Sequence, residues 1–393
     1  MSRPRSRAVA RAAQPALAVA ITWAASRLLL VGVLLWVVTG NRPMREALRG
    51  WDAAIYTRLA EHGYTKDTDV AFFPGLPLVL RGMHALGADT ALAGALLSFL
   101  CCGLAAWALY RLGSRGWGFG PASQPATGAI AAGLWLLAPT TVFTSVAYTE
   151  APFCAAAFWA WERARDKHFA QAGVLAALAC TLRISGLFLV VALLVLALVG
   201  NGDDEVWRDD WSIRLRDAAW LLLPLAVLGA YAWWLHGRTG SWTAWLQAQQ
   251  AGWGRRFTHP KDALLHTWQA AQPESWPGRR LVAPVFFAEM VAMAVGLVTT
   301  LACLLRKRWA EAAWVGVQLA AFGTSYWYMS VNRAVLLWFP LFVMLGAILG
   351  RPFHRRGRRG GELETLTLGV LGTLSVILAA TWAWLYYSGQ WAS

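Results

Sequence analysis

Eleven apolar runs dominate the chain, at about 15–39, 90–110, 126–147, 150–162, 169–182, 185–200, 218–236, 281–305, 309–329, 334–350 and 365–387. They do not alternate apolar with polar residues, as half-buried strands would. Most approach the roughly 20 apolar residues that a membrane-spanning helix needs. In lipid every backbone N–H and C=O must be satisfied within the protein, and runs of this kind leave helices as the way to do it. The expected fold is therefore all-α and polytopic, a single integral-membrane domain over 1–393 with about 11 transmembrane helices. The runs at 150–162 and 169–182 are short, which predicts tilted or broken spans.

The composition agrees: 58% of residues are hydrophobic and 14% charged, against about 25% charged in soluble domains. The net charge of +14 would suggest nucleic acid in a soluble chain. Here 20 of the 35 Lys and Arg fall on one side of the alternating spans, mostly in short loops. The positive-inside rule accounts for that pattern without a nucleic-acid partner, leaving membrane lipids as the surroundings. The basic N-terminus (1–14) and the basic loop 351–364 are expected in the cytoplasm, and the long loops 40–89 and 237–280 outside. The run from Pro15 to Thr39 is too long for a signal-peptide core and reads as the first span. The five cysteines lie in apolar runs and read as small buried hydrophobes. Interfacial belts can absorb many of the 25 tryptophans. No phosphate loop, HExxH or CxxC is present.

Gly50–Arg81 is the polar exception between two apolar runs. Trp51, Ile55 and Leu59 share one helical face, and Gly63 suits the position just past a helix end. Asp52 falls in the first turn, where it could cap the helix or, partly buried, act as a base. Phe72-Phe73-Pro74 reads as an interfacial anchor on a proline-set turn or as a wall against substrate. Asp67 and Asp69 form a DxD pair, expected to be solvated. Glu150 opens a span, as cap or cavity group. Arg183 and Arg333 sit between apolar stretches, either snorkelling or set to bind an oxyanion through the guanidinium fork. Arg27 lies deeper, with Glu289 as a candidate partner. The loop 237–280 combines Trp242, Trp245, Trp253, Trp268 and Trp276 with Arg255, Arg256, His259 and Lys261. That set suits a membrane-hugging loop, or a sugar on a phosphate-bearing lipid.

In order along the chain stand WDxxxYxxxAxxGY (Trp51–Tyr64), AFFPxxPLxxR (Ala71–Arg81), SVAYTEAxF (Ser145–Phe153), LRxSG (Leu182–Gly186) and SxxR ahead of an FP-containing span (Ser330–Pro340). This set resembles the PIG-V-type mannosyltransferases (GPI mannosyltransferase II-like), integral-membrane enzymes of the GT-C class. The resemblance implies a GT-C-type fold whose long first outer loop carries short interfacial helices. It implies inverting transfer of mannose from a polyprenyl-phosphate mannose donor to a lipid-linked or envelope glycan or protein acceptor on the extracytoplasmic face. Asp52 would be the general base, and Glu150 would orient the acceptor or support a metal. Trp51, Tyr56, Phe73, Pro74, Tyr148, Arg183, Arg333 and His259 form the expected substrate- and phosphate-binding set. The resemblance fixes no cofactor; a divalent cation (Mg or Mn) is compatible with it, and no metal ligands are assigned. Ala334 departs from the pattern, since an aromatic often follows the arginine in the family. The Ala-, Arg- and Trp-rich composition suggests a bacterial plasma membrane. Two other readings stay open: a flippase of a lipid-linked sugar, and a non-catalytic partner of another membrane glycosyltransferase. A transporter would favour inverted repeats and midplane polar residues, whereas here the polar candidates gather on one face.

Overall fold

The first apolar run lies within a single helix, Pro4–Thr39, and each later run contributes a helix. The computed structural model describes residues 4–115, 124–202, 210–350 and 358–392, without the side chains of 4–13 and 358–368. The expected basic loop 351–364 and part of the basic N-terminus therefore lie outside the described side chains. The all-α polytopic architecture is the one observed. Among the described residues, five helices are long and apolar enough to cross a membrane: Gln14–Thr39, Thr90–Ser114, Trp211–Thr239, Val282–Leu305 and Gly369–Tyr387. Val331–Leu337 and Phe339–Gly350 form a further, bent pair.

Most of the other helices are shorter than the runs that announced them, while Glu150–Arg165 extends past the end of its run at 162. The run at 126–147 is helical only over Pro125–Leu136 and then breaks into a 3-10 turn at Thr141–Thr144. Non-helical backbone is tolerated at membrane depth only where protein covers it, and Thr141, Val142, Phe143 and Thr144 are all buried. Arg27 supports the break. Its guanidinium donates to Thr144 O (3.1 Å), Thr144 Oγ1 (2.9 Å) and Thr141 Oγ1 (2.9 Å). Arg27 thus bonds to this turn instead of the candidate partner Glu289. A lone arginine at this depth costs about 3 kcal/mol, and three acceptors offset that cost.

The second break has a similar logic. The chain bends by 68° between Val331–Leu337 and Phe339–Gly350. Pro340, in the first turn of the second piece, has no N–H to continue a helix through the bend. Carbonyls freed there are taken by indoles: Trp135 Nε1 donates to Leu336 O (2.8 Å) and Trp314 Nε1 to Leu337 O (2.9 Å).

The first long loop folds into short helices, Met44–Leu48, Asp52–His62 and Gly75–Ala85, joined by a 3-10 turn at Asp67–Ala71. Asp52–His62 ends where glycine was expected to end it, at Gly63 with φ 77°. Asp69, expected in solvent, is buried instead. It accepts both Arg58 guanidinium nitrogens (3.0 and 2.5 Å) and the N–H groups of Thr65 and Lys66. Phe72 and Phe73, read as interfacial anchors, are buried in protein. Phe73 packs on Tyr231 at 4.5 Å, and the Tyr231 hydroxyl donates to Val70 O and Phe72 O. The second long loop forms helices Ala244–Trp253 and Pro260–Ala270. A bridge between Phe257 and Ser325 pins the connection between them to the approach of the bent pair.

Candidate active site

Three separate chain breaks deliver charges to one place. Asp52 opens the helix Asp52–His62, and its N–H is satisfied by the Tyr148 hydroxyl at 3.1 Å. Its carboxylate bonds no helix N–H; Oδ2 accepts from Arg333 Nη1 at 2.9 Å. The capping alternative is thereby set aside by geometry.

Glu150 begins the helix Glu150–Arg165 and is 1% exposed. Its Oε1 lies 3.0 Å from Arg183 Nη1 and 3.8 Å from Arg333 Nη1. Arg333 therefore stands between the two carboxylates, with its guanidinium over the rings of Phe143 and Tyr148 at 5.2 Å each. It is held from behind as well. Its Nη2 donates to Ser330 Oγ at 2.9 Å. The short helix that carries it is anchored by buried Glu289, which accepts the N–H groups of Ser330 and Asn332 at 3.0 and 2.8 Å. Glu289 thus fixes the backbone that presents Arg333.

Arg183 leaves the turn between helices Phe169–Cys180 and Ser185–Leu198. The Phe-Phe-Pro turn positions that turn through backbone contact. Gly75 N–H donates to Thr181 O at 2.8 Å, and a Cβ on Gly75 would meet Thr181 Oγ1 at 2.5 Å. Only glycine permits this approach, so Pro74-Gly75 acts as a bearing for the segment two residues before Arg183.

A third cation arrives from the second long loop. Arg255 donates to Met329 O and Ser330 Oγ, both at 3.3 Å. Two guanidiniums thus share the Ser330 hydroxyl. Burial and the neighbouring Arg333 push the pKa of Arg255 down to about 10, with Asp52 opposing the shift. Sequence reasoning placed Arg255 only among the cations of a long loop, because no local pattern ties residue 255 to residue 330.

Tyr56 is buried against Phe72, edge-on at 5.0 Å. Its hydroxyl bonds Thr149 and faces Asp52, Arg183 and Glu150; burial, then the Asp52 charge, raises its pKa well above the ordinary value. Trp51 immediately precedes Asp52, Phe73 packs on Tyr231 and Trp245, and Pro74 precedes the Gly75 contact to Thr181. His259 is elsewhere: it is exposed and caps Pro260–Ala270 through its Nδ1, which accepts Lys261 N–H at 3.4 Å.

The cluster gathers three arginines around Asp52 and Glu150, with the buried Glu289 carboxylate also acting on Arg255. Its polar atoms are also incompletely used. Glu150 Oε2 and Arg333 Nε are buried without hydrogen-bond partners, and Arg183 Nη1 meets only Glu150 Oε1, at 3.0 Å. Buried polar groups are nearly always satisfied, so an unbonded acceptor beside an unbonded donor marks a place with room for a polar guest. A divalent cation fits this set poorly. Both carboxylates already face arginines, and no group of three or more His, Cys, Asp or Glu is placed to hold a metal among the described residues.

Fold and site together define a polytopic helical membrane protein with a buried acid–arginine cluster at the start of the short helix Asp52–His62. Residues 35–200 match the family model described as Mannosyltransferase (PIG-V). GPI alpha-1,6-mannosyltransferase 2 of Cricetulus griseus is 35% identical over 157 residues, covering 37% of this chain and 31% of that protein. The Homo sapiens protein of the same name is 34% identical over 150 residues, covering 36% and 29%. The chain thus spans about a third of the length of the curated relatives it matches. The resemblance to PIG-V-type mannosyltransferases is accordingly shown over residues 35–200, which hold Asp52, Glu150 and Arg183; Arg255 and Arg333 lie beyond that stretch. Among solved structures, ArnT from Cupriavidus metallidurans bound to undecaprenyl phosphate aligns with TM-score 0.47 and 15% identity, covering 92% of this chain and 69% of that one.

Proposed function

We propose that this chain is an inverting mannosyltransferase of the GT-C class. It takes mannose from polyprenyl-phosphate mannose and passes it to a hydroxyl of a lipid-linked or envelope acceptor on the extracytoplasmic face. The observation that carries the reading is the meeting of Asp52 and Glu150 at Arg333 Nη1, at 2.9 and 3.8 Å, with Arg183 and Arg255 alongside.

In this reading the sugar–phosphate bond breaks at C1 as the acceptor oxygen bonds to C1 from the opposite face. The acceptor proton passes to Asp52. The departing polyprenyl phosphate carries the electron pair of the broken bond, and Arg333, Arg183 and Arg255 balance its charge. Such preorganised cations are worth most where water is excluded. Arg333 has two tasks. Before the donor binds it holds Asp52 Oδ2; when a phosphate arrives, the same guanidinium has a stronger competing partner. Its turn toward the phosphate releases Asp52 as the acceptor hydroxyl comes within reach. Glu150 holds Arg183 and Arg333 apart, and its free Oε2 accepts a hydroxyl of the bound sugar or acceptor. In this reading no step is routed through a metal, so a chelator should leave the transfer rate unchanged, and loss of transfer on chelation would assign a divalent cation to the site.

The test is transfer from radiolabelled polyprenyl-phosphate mannose in membranes holding the wild type or Asp52→Asn. Labelled product from the wild type alone, at equal protein abundance, supports the reading. Equal transfer by Asp52→Asn overturns the assignment of the base. Use of the glucose or arabinose donor in place of mannose overturns the donor.

A further inference from the structure

Trp51 adopts φ 51° and ψ −122°. Ala53 N–H donates to Gly50 O at 3.0 Å, closing a tight turn over Gly50–Ala53. These are the angles of the first central position of a type II′ turn, a place that favours glycine because a Cβ crowds the backbone there. A tryptophan stays in such a conformation only if its surroundings over-determine it. The residue after it in the turn is Asp52.

The surroundings that hold it come largely from the far end of the chain. Trp51 Nε1 donates to Gln390 O at 3.1 Å. The Trp51 ring meets Trp391 edge-to-face at 5.0 Å. The Tyr386 hydroxyl donates to Gly50 O at 3.0 Å. The segment is itself folded back: Gly389 takes φ 78°, Gln390 N–H donates to Leu385 O, and Trp382 Nε1 donates to Ala392 O. Tyr386 also packs against Tyr148, whose hydroxyl accepts the Asp52 N–H. Both peptide groups flanking Trp51, and its ring, are therefore fixed from outside its own helix.

We propose that Tyr386–Trp391 is a positioning element for Asp52. It clasps Trp51 in the strained turn and so holds the neighbouring carboxylate at Arg333. The inference rests on the transfer reading above, because its effect is on the step in which Asp52 takes the acceptor proton. If the clasp loosens, the turn relaxes toward an ordinary backbone and Asp52 swings off line. The donor, bound by the arginines, is held as before.

The experiment uses the full chain in membranes, which supply the acceptor, with labelled polyprenyl-phosphate mannose, measuring kcat per immunodetected protein and donor KM. Trp391→Ala lowers kcat on the order of tenfold and leaves donor KM within about twofold, as expected when geometry and not binding is lost. Trp391→Phe, which keeps a ring edge against Trp51, restores most of kcat. Trp51→Phe loses only the bond to Gln390 O and falls between the two, which keeps the test open should Trp391→Ala fail to accumulate. Wild-type kcat in all three variants overturns the inference while leaving the transfer reading intact. A KM increase that matches the kcat loss, without rescue by phenylalanine, also overturns it. Absence of transfer by the wild type overturns the transfer reading and this inference together.

Discussion

The helix Glu150–Arg165 carries a cluster of charges at each end, and the two have the same inventory. At its start, Asp52 and Glu150 face Arg183, Arg255 and Arg333. Near its end, Glu162 and Asp166 face Arg111, Arg115 and Arg163. Sixteen residues separate the clusters by about 24 Å. In the second cluster the bonds close on one another. Glu162 Oε1 accepts from Arg111 Nε (2.6 Å) and Arg115 Nη2 (2.8 Å), its Oε2 accepts from Arg163, and Asp166 takes Arg115 and Arg163. In the first cluster Glu150 Oε2 and Arg333 Nε are buried with no hydrogen-bond partner. The two clusters thus share charged residue types and differ in how completely their buried polar atoms are bonded.

The comparison is most directly broken by removing its acids. Asp52→Asn, nearly isosteric, should lower transfer by about 10³-fold at unchanged membrane abundance, the range for losing a general base. The label-transfer rate per immunodetected protein measures it. Glu162→Gln should leave that rate per folded molecule at the wild-type level.

Among the arginines, Arg333→Ala should reduce kcat/KM by about 10²-fold, the scale of losing one preorganised charge at a leaving group. Arg333→Lys should recover little, since an ammonium lacks the fork that reaches Asp52, Glu150 and Ser330 together. Arg115→Ala serves as the mirror substitution; a comparable kcat/KM loss there would erase the distinction between the clusters.

Stability should reverse the order. Glu162→Gln removes a buried acceptor of three guanidiniums and should cost about 1–3 kcal/mol, read as a lower midpoint in a detergent thermal melt. Arg255→Ala, at a looser contact, should cost less stability while still weakening inhibition by polyprenyl phosphate.

The smallest effect is in the pH dependence of stability. Burial raises the Asp166 pKa, but the bond and charge of Arg115 outweigh it and the net shift is below the ordinary value. A carboxylate depressed in the folded state stabilises above its unfolded pKa, and that contribution is lost as pH falls through the folded value. The melting midpoint should therefore decline below about pH 4, and Asp166→Asn should flatten that decline.

Much of this protein was legible locally. Apolar runs placed the helices, Gly63 ended Asp52–His62, and ordered motifs pointed to Asp52, Glu150, Arg183 and Arg333. What hydropathy could not show was where a run stops being helical. Residues 137–147 continue the apolar run, yet the helix ends before them: Pro139 has no N–H to continue it, and Arg27 satisfies the buried 3-10 turn that follows. Nor could it show that Asp69 is a buried brace and not a solvated loop acid, since that depends on Arg58 lying across the turn. His259 resembled a phosphate ligand by its cationic, aromatic company, but its imidazole caps its own helix.

Periodicity, hydropathy and charge asymmetry are properties of neighbours along the chain, and they determined the helical, membrane-borne class and the polar stretch at Gly50–Arg81. The tertiary structure decided which charges meet. Arg255 reaches Ser330, Glu289 anchors the Arg333 helix, and Trp391 clasps Trp51 through contacts between residues far apart in sequence. Each exists because a buried polar or strained group must find a partner somewhere, and no local pattern encodes where that partner is.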